Sequence, residues 1–161
     1  MTADPGRTGQ PPPVPLARLM AMAFRDLIDG LHARLAERGW TDVRPAHGFV
    51  LLAARDGRIT GSQVGELLGV SKQAASKLLD AMVGVGLVER RASATDARAR
   101  QVLLTDHGRR FLAEVEVVYA DLEADWAAVI GADRVDQLRA DLLAVLRTGH
   151  DGRLPAIRPT W

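Results

Sequence analysis

The chain has 161 residues, 47% of them hydrophobic and 25% charged, and a formal net charge of +1; that is room for one domain with an extension, and mass enough to bury a core. It contains no cysteine, which excludes a disulfide framework, a thiolate zinc site and a cysteine oxidation switch and suits a reducing cytoplasm. No apolar run approaches the ~20 residues of a membrane span, and the N-terminus lacks the apolar core of a signal peptide, so a cytoplasmic location with no membrane partner is expected.

In chain order, residues 1–15 are Pro/Gly-rich and polar, an expected disordered arm with Pro11-Pro12-Pro13 extended. Leu19, Ala23, Leu27, Leu31 and Leu35 recur every four residues, flanked by Met20, Phe24 and Ile28, and predict a helix from Leu16 to about Arg38 that Gly39 closes. Trp40 to Arg44 is a connector. Pro45 suits the first turn of a second helix reaching about Arg55, with Phe49, Leu51, Leu52 and Ala53 as its apolar residues. Asp56-Gly57 is a turn, and Arg58-Ile59 a very short strand.

Thr60 and Gln63 have the spacing of a capping box that opens a third helix. Val64, Leu67 and Leu68 form its buried stripe, and Gly69 ends it. Ser71 caps a fourth helix whose apolar positions are Ala75, Leu78, Leu79 and Met82, with small residues at Gly65 and Ala75 where the two helices would cross. The remaining face carries Lys72, Gln73, Ser76 and Lys77, which can donate to phosphates and base edges. This is a helix-turn-helix with a recognition helix. Leu87 to Arg91 and Arg100 to Leu104 read as two strands around a polar loop, a wing. Thr105 then caps a long helix to about Ile130, with Leu112, Val115, Tyr119, Leu122, Trp126 and Val129 at spacings of three and four. Gly131 breaks it. A last helix from about Asp133 to Leu146 carries Val135, Leu138, Leu142, Leu143, Val145 and Leu146, and Gly149 and Gly152 begin a loose tail.

Charge is unevenly spread. Between Ser71 and Arg110 eight Lys/Arg face four acids, a surplus of four, whereas the rest of the chain holds 13 basic and 16 acidic residues. Positive charge is concentrated where a duplex would sit. Gln73 is expected to read adenine, Ser76 to serve several bases, and Lys72 and Lys77 to meet phosphates or a guanine. Thr60, Ser62 and Ser71 can donate to a phosphate, Thr60 equally being a cap. Arg91 and Arg100 flank the wing loop and strengthen its field. Asp80 opposes DNA affinity and is expected beyond the contact or paired with Lys77.

The order of elements resembles the MarR family of bacterial winged helix-turn-helix regulators, over about Leu16 to Leu146. Leu68 to Leu78 is similar to that family's turn and recognition helix, and Gly86-Leu87-Val88-Glu89-Arg90 to its entry into the wing. Asp96-Ala97-Arg98, followed by Leu103-Leu104-Thr105 and Gly108, is similar to its wing signature, with Ala97 where the family often has proline. The resemblance implies a mainly α fold: a winged helix-turn-helix at 45–104, N-terminal (16–44) and C-terminal (105–147) dimerisation helices, and a tail at 148–161. It implies a homodimeric transcriptional repressor on a pseudo-palindromic double-stranded DNA operator, with Arg98 in the minor groove and Asp96 orienting the wing. It also implies release by a small aromatic or anionic effector. The region expected to hold that effector draws on Phe24, Ile28 and Trp126 and above all on His32, Trp40, Arg44 and His47, a histidine or arginine there being as readily satisfied by an acid such as Asp42.

Apart from the resemblance, the terminal helices carry more apolar surface than one winged helix can cover, which also predicts a two-fold dimer. No cofactor or metal is expected, because His32, His47, His107 and His150 lack metal-ligand spacing. Nor is an enzyme: no Ser/His/Asp arrangement, His-Glu-x-x-His or phosphate-binding glycine loop occurs, and Gly84-Val85-Gly86 follows a helix. The rival reading is a winged-helix interaction or dimerisation module without sequence-specific DNA binding, for which the Lys/Gln/Ser face and the wing arginines have no use.

Overall fold

The structure, a computed structural model, describes residues 13–56, 59–92 and 100–157. Most of the N-terminal arm, Gly57-Arg58, the wing loop with Asp96, Ala97 and Arg98, and Pro159-Thr160-Trp161 lie outside the described residues. The elements run α1 (Leu16–Glu37), α2 (Pro45–Ala54), β1 (Ile59–Thr60), α3 (Gly61–Leu68), α4 (Lys72–Gly84), β2 (Val88–Ala92), β3 (Arg100–Leu104), α5 (Asp106–Ile130) and α6 (Ala132–Thr148). The three strands form one antiparallel sheet in the order β1-β3-β2, with Val88 opposite Leu104, Ala92 opposite Arg100 and Ile59 opposite Val102. The fold is mainly helical, with the small wing sheet the sequence predicts.

Local chemistry explains the elements around the turn. The Thr60 hydroxyl accepts the Gln63 N–H at 3.4 Å while Gln63 Oε1 accepts the Thr60 N–H at 2.8 Å, so the capping box opens α3. Gly69 ends it in the left-handed region, φ 63°, where a Cβ would be strained. A Cβ on Gly65 would come to 3.3 Å from the Val70 carbonyl oxygen and 3.6 Å from Ala75 Cβ, so the absence of a side chain there lets α3 and α4 approach closely.

Behind the turn, Val64, Leu68, Ala75, Leu79 and Met82 join Leu87, Val88, Val102 and Leu104 in a core continuous with Phe111 and Val115 of α5. Each large side chain so buried contributes about 1.5–3 kcal/mol. α2 differs from expectation: His47, Val50, Leu51 and Ala54 are buried, while Leu52 and Ala53 are exposed. That helix is apolar almost all round, so its pattern does not define a face. α5 likewise adds Phe111 and Val118 to the expected stripe and leaves Val129 exposed.

Ion pairs tie α1 to α5. Arg38 reaches Glu114 at 2.9 Å and Asp121 at 3.0 Å, and Arg34 pairs with Asp125. The tail corrects one expectation, because it is not loose throughout: it turns back so that the Ile157 N–H donates to the Leu67 carbonyl at 2.8 Å, satisfying one of the carbonyls that a helix C-terminus leaves without an intrahelical partner.

Candidate nucleic-acid interface

α4 presents its two faces as the sequence pattern requires. Ala75, Leu79 and Met82 are buried, Lys72, Gln73 and Lys77 are exposed, and Ser76 is half-buried between them. The Ser71 hydroxyl accepts the Ala74 N–H at 3.2 Å, fixing the helix start. Ser62 is exposed in the first turn of α3. The Thr60 hydroxyl both accepts from the Gln63 N–H and donates to Gln63 Oε1 at 3.1 Å, so its proton is committed to the cap.

The basic surplus resolves residue by residue. Arg91 pairs with Glu89 at 2.8 Å and Arg109 with Asp106 at 3.0 Å. Asp80 corrects the expectation that it would pair with Lys77. Its carboxylate takes Arg90 Nη1 at 3.1 Å, because β2 brings that guanidinium across the end of α4. Among the described residues of this segment, Lys72, Lys77, Arg100 and Arg110 have no ion-pair partner. Two of them stand on the polar face of α4, and Arg100 opens β3 at the far end of the wing. These charges are available to phosphates.

Of the four residues expected to hold an effector, Trp40 lines a cleft. A cleft of about 530 Å³ is lined by Trp40 together with Arg38, Gly39, Thr41, Asp42, Val43, Val85, Leu87 and His107, and His32, Arg44 and His47 do not line it. Trp40 stands between His107 and Phe111, with ring centroids 4.9 Å from each. His47 is 4% exposed. Its Nδ1 accepts the Arg44 N–H at 3.3 Å, so it is bonded to the backbone and not to Asp42. Its Nε2 is buried without a partner, as is that of His32. Burial, and secondarily the Arg44 charge, lowers the His47 pKa to about 4. Sequence reasoning missed His107 in this cleft. Its position in the first turn of α5, facing the connector, depends on tertiary packing with no local signature.

No helix among the described residues is long and apolar enough to cross a membrane. Among those residues no group of three or more His, Asp or Glu is placed to hold a metal ion.

Taken together, the sheet, the crossed α3–α4 pair and the flanking helices define a winged helix-turn-helix protein. The family model described as MarR family matches residues 41–99. In Rhizobium meliloti (strain 1021) the exopolysaccharide II synthesis transcriptional activator ExpG is 33% identical over 101 residues, 61% of this chain and 50% of that protein. The chain thus spans about half the length of that curated relative. Among solved structures, the transcriptional repressor CouR bound to a 23-mer DNA duplex superposes with a TM-score of 0.69 at 27% identity, covering 81% of this chain and 92% of that one. A mutant MarR from E. coli complexed with operator DNA gives 0.68 at 29% identity, covering 83% and 94%. Over residues 41–99 the chain is similar to the MarR family, and its fold matches that of MarR-family structures.

Proposed function

We propose that this protein is a transcriptional regulator that binds a pseudo-palindromic double-stranded DNA operator as a homodimer, with α4 in the major groove and the wing in the minor groove. The observation that carries this reading is the polar stripe of α4, Lys72, Gln73, Ser76 and Lys77, standing on a helix whose opposite face is locked in the core. The same stripe in a protein-interaction module would have no reason to hold a glutamine, a serine and two lysines beside unpaired arginines. The two DNA-bound relatives support the reading by likeness. Repression by occupying a promoter is the mode proposed, and activation, the mode named for ExpG, is the other outcome of a reporter assay. A small aromatic effector fits the Trp40–His107 cleft better than it fits buried His47.

On α4 the roles divide. Gln73→Ala should relax preference at one base position per half-site, costing ~1–3 kcal/mol against the best sequence. Lys77→Ala should weaken all sequences nearly equally and flatten the salt dependence by about one unit per half-site. Anisotropy titrations over a salt series measure both, and the reverse pattern would overturn the assignment.

Arg98, with Asp96 two residues before it, is proposed as the minor-groove residue. It belongs to the seven residues that join Ala92 of β2 to Arg100 of β3. Arg98→Ala should lower operator affinity about tenfold, lysine should rescue only in part, and melting should stay within ±0.5 kcal/mol of wild type. Wild-type affinity in Arg98→Ala removes that role.

The dimer is proposed from surface apolarity. Leu16, Leu19, Met20 and Met22 of α1, Val129 and Ile130 of α5, and Leu138, Val145 and Leu146 of α6 are exposed, and no residue of α6 is buried. A two-fold partner would cover these surfaces. Sedimentation should give about twice the 17.4 kDa chain mass at micromolar concentration, and a monomer would sink the arrangement.

A further inference from the structure

The same reading of α4 leaves an acid in the wrong place. Asp80 lies one turn beyond Ser76 on the stripe that begins at Gln73, so it stands on the reading face, where a carboxylate repels phosphate. Arg90 answers it from β2. Its Nη1 meets the Asp80 carboxylate at 3.1 Å, and its Nη2 donates to the Ser76 carbonyl at 3.0 Å. One planar guanidinium therefore spans a full turn of α4 from the base of the wing. The Arg90 side chain is 23% exposed and that of Asp80 64%, and Arg90 Nε is buried without a partner. So Arg90 is largely withdrawn from solvent and turned toward α4.

Resting on the DNA-binding reading above, we propose that Arg90 and Asp80 are positioning residues: a clamp that fixes the rotation of the recognition helix against the wing and cancels the charge on its reading face. An exposed ion pair contributes little by itself. The force of this one is geometric, since the backbone carbonyl of a base-reading residue and a carboxylate one turn on share the same rigid fork. Rotation of α4 about its axis would move Gln73 and Ser76 off their base edges while leaving the lysines within reach of phosphates. The clamp thus serves selectivity more than affinity for duplex as such.

Charge and geometry predict opposite signs for one substitution. Asp80→Asn removes a negative charge from the reading face, so simple electrostatics expects tighter binding to every duplex. The clamp expects operator affinity to fall about tenfold with non-specific affinity held or slightly raised. Arg90→Gln should do the same without changing the salt slope, and the two substitutions together should cost little more than either alone. Arg90→Lys should fail to rescue, because an ammonium is a point donor without the planar fork that reaches both groups.

The test is anisotropy on operator and scrambled duplexes over a salt series for wild type, the three single variants and the double variant, with melts as the folding control. Amide exchange of the free proteins is followed in parallel, and Asp80→Asn and Arg90→Gln should each raise exchange along α4 and β2. Tighter operator binding by Asp80→Asn, or full rescue by Arg90→Lys with a salt slope lowered by Arg90→Gln, would make Arg90 a direct phosphate contact and overturn the clamp. Unchanged exchange would overturn it without reference to DNA. A wild-type protein that prefers no duplex refutes the DNA-binding reading instead, and the exchange data still judge the clamp.

Discussion

Gly108→Ala should destabilise the protein by about 3 kcal/mol, although on helix propensity alone it should gain close to 1. Gly108 lies in the first turn of α5, and a Cβ there would overlap the Leu87 carbonyl oxygen. Neither group can retreat. The Gly108 N–H is held by the Thr105 hydroxyl at 3.0 Å, and that hydroxyl also donates to the Gly86 carbonyl at 2.5 Å. The Thr105 N–H meets the Leu87 carbonyl at 3.2 Å. The turn after α4 and the start of α5 are thus one joint, through which the recognition helix is attached to the long helix. For a chain of this size the expected loss lowers the melting temperature by roughly 6–12 °C. Gly84→Ala, in open space at the end of α4, is the control and should not be destabilising. A melt at or above wild type for Gly108→Ala would mean the joint is looser than described.

Acid should weaken the fold through His47. Its folded pKa of about 4 lies below the ordinary 6.5, so between those values the unfolded chain binds the extra proton. Stability from keeping this imidazole neutral is complete above pH 6.5 and is lost as pH falls toward 4, a change of about 3 kcal/mol. The cause is visible in the packing. The ring is 4% exposed, and its Nδ1 lone pair takes the Arg44 N–H at the start of α2. Protonation at Nδ1 would break that bond and place a second cation beside Arg44. Denaturant titrations of wild type and His47→Gln at pH 7 and pH 4.5 isolate the group. The variant should be weaker at pH 7 but lose less on acidification. Parallel losses in the two proteins would assign the acid sensitivity elsewhere.

What could be read from the chain alone follows where its chemistry is local. The Thr60–Gln63 box, the Gly69 stop, the Ser71 and Thr105 caps and the two faces of α4 are short-range patterns, and each stands where its spacing puts it. Two of the stretches that carry the MarR resemblance, Gly86-Leu87 and Leu-Thr-x-x-Gly, are the two halves of the joint around Leu87, which is why they occur together. What was illegible depends on distant partners. Nothing near Asp80 announces that Arg90, ten residues on, will reach it across the α4–β2 turn. Nothing in Pro45 to Ala54 tells Val50 from Leu52, because neighbouring elements decide which side is covered. His47 had the residue type of a ligand anchor but is a buried cap partner, a distinction that only burial makes.

The central claim is selective binding of duplex DNA by a dimer. Its most direct test is titration of one labelled operator, recovered by genomic footprinting, against a scrambled duplex of equal length at about 0.15 M salt, with stoichiometry read from the same samples. The account predicts one dimer per operator and an affinity at least ~10³-fold above the scrambled sequence. Equal affinity for the two duplexes, or binding of neither, would contradict it.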